Sequence, residues 1–168
     1  GFDSVLVRFS GEIWIKGAWT RRFYVGRLLR NIKRVLKFYG LEVKGVSRVD
    51  GRLFLKVDKA EEVVRRLSRV FGVSSVSSVL ETTSRLEDIV DKTVFLAGKR
   101  LCRGGSFAVK CKRVGVHPYG SRDICEVLGR RILDEFGDRL GVRVNLKTPN
   151  VRFGVEVRGE RAFVYSDV

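Results

Sequence analysis

The stretch LEVKGVSRVDGRLFLKV, residues 41–57, decides the fold. Two short alternating runs rich in Val, Leu and Phe meet at Asp50-Gly51, a dipeptide whose readiness for positive φ makes it a strong hairpin signal. Two strands joined this tightly must be antiparallel neighbours, so the elements on either side determine the topology. Upstream, SVLVRFS (4–10) alternates like a strand, with Val5, Val7 and Phe9 on one face. Between the two lies one long segment of helical period. At 100° per residue, Val25, Leu28, Leu29, Ile32, Val35, Leu36 and Tyr39 fall on one arc of about 120°. Thr20 is the expected N-cap and Gly40 the expected C′ stop.

Downstream, KAEEVVRRLSRVF (59–71) places Val63, Val64, Leu67 and Val70 at helical spacing, Gly72 ends it, and VSSVSSVL (73–80) reads as a strand. The order is therefore βαββαβ, a ferredoxin-like split βαβ domain over residues 1–80 with an antiparallel sheet and both helices on one face. Residues 81–168 follow without a Pro- or Ser-rich linker and read as a second small α/β domain. In it, SRLEDIVDKTVFLAGKRL (84–101) is a helix with Leu86, Ile89, Val90, Val94 or Thr93, and Leu101 in period. SFAVKCKRV (106–114) is a strand with Phe107, Val109 and Cys111 inward and Lys110 and Lys112 outward. Ser121 is the expected cap of RDICEVLGRRILDEF (122–136), with Asp123 in its first turn favouring the dipole. VRVNL (142–146), VRFGVEV (151–157) and RAFVYSDV (161–168) read as strands, the last two turning at Gly159-Glu160.

The chain carries a formal charge of +15. An excess of this size attracts polyanions, and nucleic acid or an acidic membrane face are the usual candidates. Residues 1–80 hold 17 Lys and Arg against 7 Asp and Glu, and residues 81–168 hold 17 against 12, so the first half concentrates the field. No acid lies between Glu12 and Glu42, while eight basic residues run from Lys16 to Lys37. On the first helix Arg27, Arg30, Lys33, Arg34 and Lys37 form a stripe opposite the apolar arc. Like charges at i,i+3 and i,i+4 cost a few tenths of a kcal/mol each, so a solvated face should mix signs; an unopposed stripe points to a partner that supplies the anions. Lys16, Arg21 and Arg22 extend it. The indoles of Trp14 and Trp19, in the same stretch, suit packing against a core because each buries a large apolar area, with stacking on unpaired bases as the alternative.

Catalytic and metal signatures are sparse. Cys102, Cys111, His117 and Cys125 are four soft ligands at spacings that match no compact zinc pattern, and Cys111 falls on the inward phase of its strand. An odd number of cysteines without a CxxC pair reads as reduced and intracellular, here cytoplasmic. No phosphate loop, dinucleotide fingerprint or nucleophile elbow occurs. A single His leaves His117 as the sole imidazole for acid–base work, and Glu87, Asp88 and Asp91 share one helix as solvating charge. No apolar run reaches the ~18 to 20 residues of a membrane helix. What remains is KCKRVGVHPYGSRDI (110–124), where Lys110, Lys112 and Arg113 precede a loop with His117 and Tyr119 and a helix start whose N–H groups suit phosphate. Lysines guarding a strand edge against aggregation are the competing explanation. NLKTPNVRF adds Lys147, Asn150 and Arg152.

The stretches GEIWIKG with RRF and Asn31 (11–31), FAVKCKRVGVHPYGS (107–121) and NLKTPNVRFGVEV (145–157) together resemble the tRNA 4-thiouridine synthetase family, the ThiI type. They look like its N-terminal ferredoxin-like domain followed by its THUMP domain. The resemblance implies binding of the tRNA acceptor arm and 3′ end, and, in complete synthetases, an adenylating domain with an SGGxDS-like loop that follows. This chain ends before any such domain, so the resemblance supplies no catalytic residue; the ligand spacings and missing motifs above give the expectation of no metal and no cofactor. The expected RNA-binding residues are Lys16, Arg21, Arg22, Arg27, Arg30, Arg34, Lys37, Lys110, Lys112, Arg113, His117, Lys147 and Asn150. The expected partners are tRNA and a catalytic adenylating or sulfurtransferase domain or subunit; a membrane is not expected, and homodimerisation stays open. Two other readings stand beside this one: an enzyme in its own right using His117 or a cysteine, and a basic protein-interaction adaptor without RNA preference.

Overall fold

The structure, a computed structural model, describes residues 2–10, 17–49 and 51–167, with the side chain of Val49 left aside. The elements run β1 (Ser4–Phe9), α1 (Ala18–Phe38), β2 (Gly45–Val49), β3 (Arg52–Lys56), α2 (Ala60–Leu67), β4 (Val73–Thr83), α3 (Leu86–Arg100), β5 (Ser106–Val114), α4 (Ser121–Leu140), β6 (Arg143–Val144), β7 (Val151–Arg158) and β8 (Arg161–Asp167). They divide into two compact units, Gly1–Val79 and Leu80–Val168.

In the first unit the strand order is β2-β3-β1-β4, every pair antiparallel, which is the ferredoxin-like arrangement that the sequence predicts. β2 and β3 pair from Gly45↔Lys56 to Val49↔Arg52, Gly51 has a φ of +73°, and Asp50 of the expected turn lies outside the described residues. Val5 and Val7 of β1 stand across from Leu55 and Leu53 of β3 and share one face. Against that face pack Val25, Leu28, Ile32 and Leu36 of α1 with Ala60, Val63 and Leu67 of α2, so both helices cover the same side. Each fully buried aliphatic side chain contributes about 1.5–3 kcal/mol, and this cluster is what fixes the orientation of α1's other side.

The boundaries of the first unit's helices differ from expectation at the start of α1 and the end of α2. α1 begins at Ala18 with Gly17 as its N-cap and no side-chain cap, two residues ahead of Thr20. It stops where expected, at Gly40, whose φ of +71° a side-chain-bearing residue would resist. Tyr39, placed inward by the 3.6 period, is the C-cap; its ring is 43% exposed, with the Arg66 guanidinium 3.9 Å above it. α2 ends at Leu67, four residues short of Phe71. There Ser68 is the C-cap: its N–H makes the last helical bond to the Val64 carbonyl, which its hydroxyl also donates to. Val70 still packs on the core from the turn that follows, while Phe71 is 94% exposed.

In the second unit the order is β8-β7-β5-β6. β5 runs parallel to β7 and β6, and β8 antiparallel to β7. α3 buries Ile89, Val90, Thr93, Leu96 and Ala97. Thr93, rather than Val94, faces inward because its hydroxyl donates to the Ile89 carbonyl at 2.7 Å and so carries no unmet polar group into the core. α4 presents Ile124, Leu128, Ile132 and Phe136, and a Cβ on Gly98 of α3 would lie 3.4 Å from the Phe136 ring, so the two helices approach closely. Val109 and Cys111 are half-buried where Phe107 is fully buried. The expected strand at 142–146 shrinks to Arg143–Val144, because Asn145 Oδ1 accepts the N–H groups of Lys147 (3.1 Å) and Thr148 (3.0 Å) and turns the chain.

Candidate nucleic-acid interface

Burial of one stripe of α1 forces the rest of its surface outward. Arg22, Arg27, Arg30, Lys33, Arg34 and Lys37 are exposed and Arg21 is half-buried, with no acidic residue in the first turn. Lys16 and Trp14 lie outside the described residues. Trp19 does not pack inward as expected. It is 72% exposed and stacks on Phe23 one turn later, centroids 5.9 Å apart and planes 14° off parallel.

Two grooves flank this helix within the first unit. One, about 320 Å³, is lined by Arg21 and Arg22 of α1 together with Arg48 and Arg52 of the β2–β3 hairpin. The other, about 730 Å³, lies between Tyr24, Arg27, Leu28 and Asn31 of α1 and the turn from α2 to β4, which contributes Arg69 and Phe71. Among the described residues, neither lining includes a carboxylate. Arg48, Arg52, Arg69 and Phe71 were not among the residues singled out from sequence. Their signal was faint, since each sits in an element read as ordinary strand or helix, and their convergence with α1 appears only on folding.

In the second unit the expected residues separate into free and committed groups. Lys110, Lys112 and Lys147 are exposed. Arg113 is half-buried; its Nη1 donates to the Gly115 carbonyl at 2.7 Å and lies 3.2 Å from His117 Nδ1. His117 Nε2 sits 2.7 Å from the Gly159 carbonyl, an acceptor only, which assigns the proton to Nε2 and leaves Nδ1 to accept from Arg113. The imidazole also stacks on Tyr119, 5.4 Å between centroids and 10° between planes. Tyr119 in turn donates to the Ser84 carbonyl, and burial raises its phenol above the usual value despite Arg113 beside it. Both imidazole nitrogens are thus engaged in holding the β5–α4 loop. Asn150 Oδ1 likewise accepts from the Ser106 N–H (2.8 Å) and hydroxyl (3.2 Å), pinning the start of β5. At the α4 start the cap is Gly120, not Ser121, and the Asp123 carboxylate accepts the Gly120 N–H at 2.9 Å. A negative charge already stands where a phosphate was expected.

The cysteines hold no metal-type cluster among the described residues. Cys102 is exposed. Cys111 on β5 and Cys125 on α4 are neighbours: a thiol–thiol hydrogen bond raises Cys111 well above the usual thiol range, aided by its burial, and lowers Cys125 to about 7.

Comparison with known proteins assigns both units. Residues 4–77 match the ThiI ferredoxin-like domain and residues 83–167 match the THUMP domain. The chain belongs to the tRNA 4-thiouridine synthetase (ThiI) family. A protein of Aeropyrum pernix named Probable tRNA sulfurtransferase is 36% identical over 171 residues, covering 99% of this chain and 41% of its own length. This ThiI-family chain thus spans about two fifths of the curated relatives it matches. Among solved structures, PH1313 of Pyrococcus horikoshii superposes with a TM-score of 0.78 at 26% identity, covering 98% of this chain and 54% of that one. A 4-thiouridine synthetase solved in complex with RNA and bound ATP gives 0.77 at 27% identity, covering 99% and 41%.

Proposed function

We propose that this chain is the tRNA-binding part of a tRNA-modification system, that it grips the acceptor arm and 3′ end, and that it serves 4-thiouridine synthesis without a catalytic step of its own. The observation that carries this reading is the α1 surface: exposed Arg27, Arg30, Lys33, Arg34 and Lys37 with no carboxylate anywhere between Glu12 and Glu42. Membership of the ThiI family supports tRNA as the polyanion, and a family member solved with RNA supports it further. An adenylating or sulfurtransferase domain or subunit supplies the chemistry, and the cytoplasm is the site of action; no described helix is long and apolar enough to cross a membrane.

The reading of this chain as an enzyme built on His117 loses its main support, because a general base needs a free nitrogen and both of this ring's are occupied. Titration of a tRNA transcript at several salt concentrations tests the proposal. Phosphate contacts release counterions, so log K should fall steeply and linearly with log[salt]. A flat slope, or affinity for heparin equal to that for tRNA, would favour the adaptor reading.

A further inference from the structure

The groove between α1 and the α2–β4 turn combines features that a merely cationic surface does not need. Arg27 and Asn31 enter it from the helix, and Arg69 from the turn. Phe71 stands at its edge, 94% exposed, although its chain neighbours Val70 and Val73 both pack on the core. The turn cannot swing inward to bury that ring: Gly72 gives its carbonyl to the Ser10 N–H at 2.9 Å, and Val73 N–H bonds Val70 at 3.1 Å. Phe71 is therefore held out by the fold. An exposed aromatic ring is unremarkable alone, but this one adjoins two guanidinium groups and a carboxamide in a concavity of about 730 Å³, within the range of small-ligand pockets.

We propose that this groove binds one unpaired nucleotide of an RNA, with Arg27 and Arg69 on its phosphate, Phe71 against the face of its base and the Asn31 carboxamide at its edge. Each group has a matching demand. Guanidinium pairs suit phosphate oxygens, ring faces suit any base, and an amide offers both donor and acceptor to a base edge. The base must be unpaired, since a duplex keeps its base faces stacked and its edges paired, and single-stranded positions are where RNA opens both to a protein. The inference rests on the tRNA-binding reading and extends it. The N-terminal unit then reads an exposed nucleotide, in addition to gripping backbone along the α1 stripe.

The test compares a tRNA transcript with a blunt, fully paired RNA duplex of similar length, binding measured by fluorescence anisotropy at fixed salt. Phe71→Ala should weaken tRNA binding roughly fivefold or more, the loss of one stacked base, and leave the duplex unchanged. Phe71→Trp, which keeps a ring face, should restore tRNA binding, and this rescue separates stacking from a folding defect. Ultraviolet cross-linking of the tRNA complex should join an unpaired nucleotide to the peptide containing Phe71. Equal tRNA affinity in Phe71→Ala and the parent, or equal losses on tRNA and duplex, would overturn the groove assignment while steep salt dependence of the parent leaves tRNA binding standing. A parent chain that binds tRNA no better than heparin would remove both.

Discussion

Tyr165 on β8 lies directly across from Gly154 on β7, and its ring fills the space in which a side chain at 154 would stand. A Cβ built on Gly154 meets the ring far inside van der Waals contact, and both residues are buried, with Tyr165 7% exposed. The glycine here is a matter of room. Its neighbours Phe153 and Val155 have no such restriction because their partners, Ser166 and Val164, are small. Gly154→Ala should therefore destabilise the second unit by about 1–3 kcal/mol, the usual cost of overpacking a close contact. Denaturant unfolding checks it: the midpoint should fall, while the same substitution at the open Gly129, which has nothing within 4 Å, costs nothing or stabilises.

The Cys111–Cys125 contact makes a pH-dependent prediction. Cys125 accepts a hydrogen bond from Cys111, which favours its thiolate and lowers it to about 7, whereas Cys111 is pushed up by the same bond and by burial. The thiolate is the nucleophile, so reaction increases as pH rises through the group's own pKa. Iodoacetamide should accordingly label Cys125 with a midpoint near pH 7, and leave Cys111 unlabelled across the neutral range. Cys111→Ala removes the donor and should move the Cys125 midpoint upward. Peptide mass mapping across pH 5.5–9 would read this out; a midpoint for Cys125 equal to that of exposed Cys102 would contradict it.

Asn145 sets the order of the loop that presents Lys147. Its Oδ1 accepts two backbone N–H groups and its Nδ2 donates to the Thr148 hydroxyl at 3.3 Å. Asn145→Ala removes all three bonds, and side-chain-to-backbone bonds at such turns are worth about 1 kcal/mol each at most. Global stability should drop little, by roughly 0.5–1.5 kcal/mol. Amide exchange at Lys147 and Thr148 should rise sharply while β7 stays protected, since local opening is governed by the few bonds that hold the segment.

How far the sequence reveals this molecule depends on the range of the forces involved. The hairpin at 41–57, the α1 stripe and the in–out alternation of Val109 to Lys112 on β5 were legible because each is set within about 20 residues by turn chemistry and hydrophobic period. Helix ends were less so. α2 stops at Leu67 with Ser68 as its C-cap, and Gly17 supplants Thr20 as the cap of α1, choices of about 1 kcal/mol that periodicity does not register. The candidate site was legible in its charge and illegible in its geometry. Arg69 and Phe71 reach the groove only because β4 places the turn beside α1, and Arg113 Nη1, both His117 ring nitrogens and Asn150 Oδ1, which look like binding groups in a basic stretch, are engaged with local partners.

That division between exposed and committed groups sets the last prediction. On α1, Arg30 and Arg34 are exposed, and they present point charge on a regular helix, which suits duplex phosphate and carries no base information. In the second unit Lys112, near the end of β5, and Lys147, in the loop before β7, are both exposed, in or beside loops, where single-stranded nucleotides are accessible. Arg113 is a poor probe, because its loss would release the His117 loop as well as remove a charge. Arg30→Glu with Arg34→Glu should weaken intact and 3′-trimmed tRNA by the same factor. Lys112→Ala with Lys147→Ala should weaken intact tRNA, by roughly tenfold if each lysine meets one phosphate, and barely change the trimmed form. The measurement is one anisotropy titration per variant on both RNAs at a single salt concentration. Equal losses for both pairs on both RNAs would mean that the two units share a diffuse basic surface and that the 3′ end is not recognised separately.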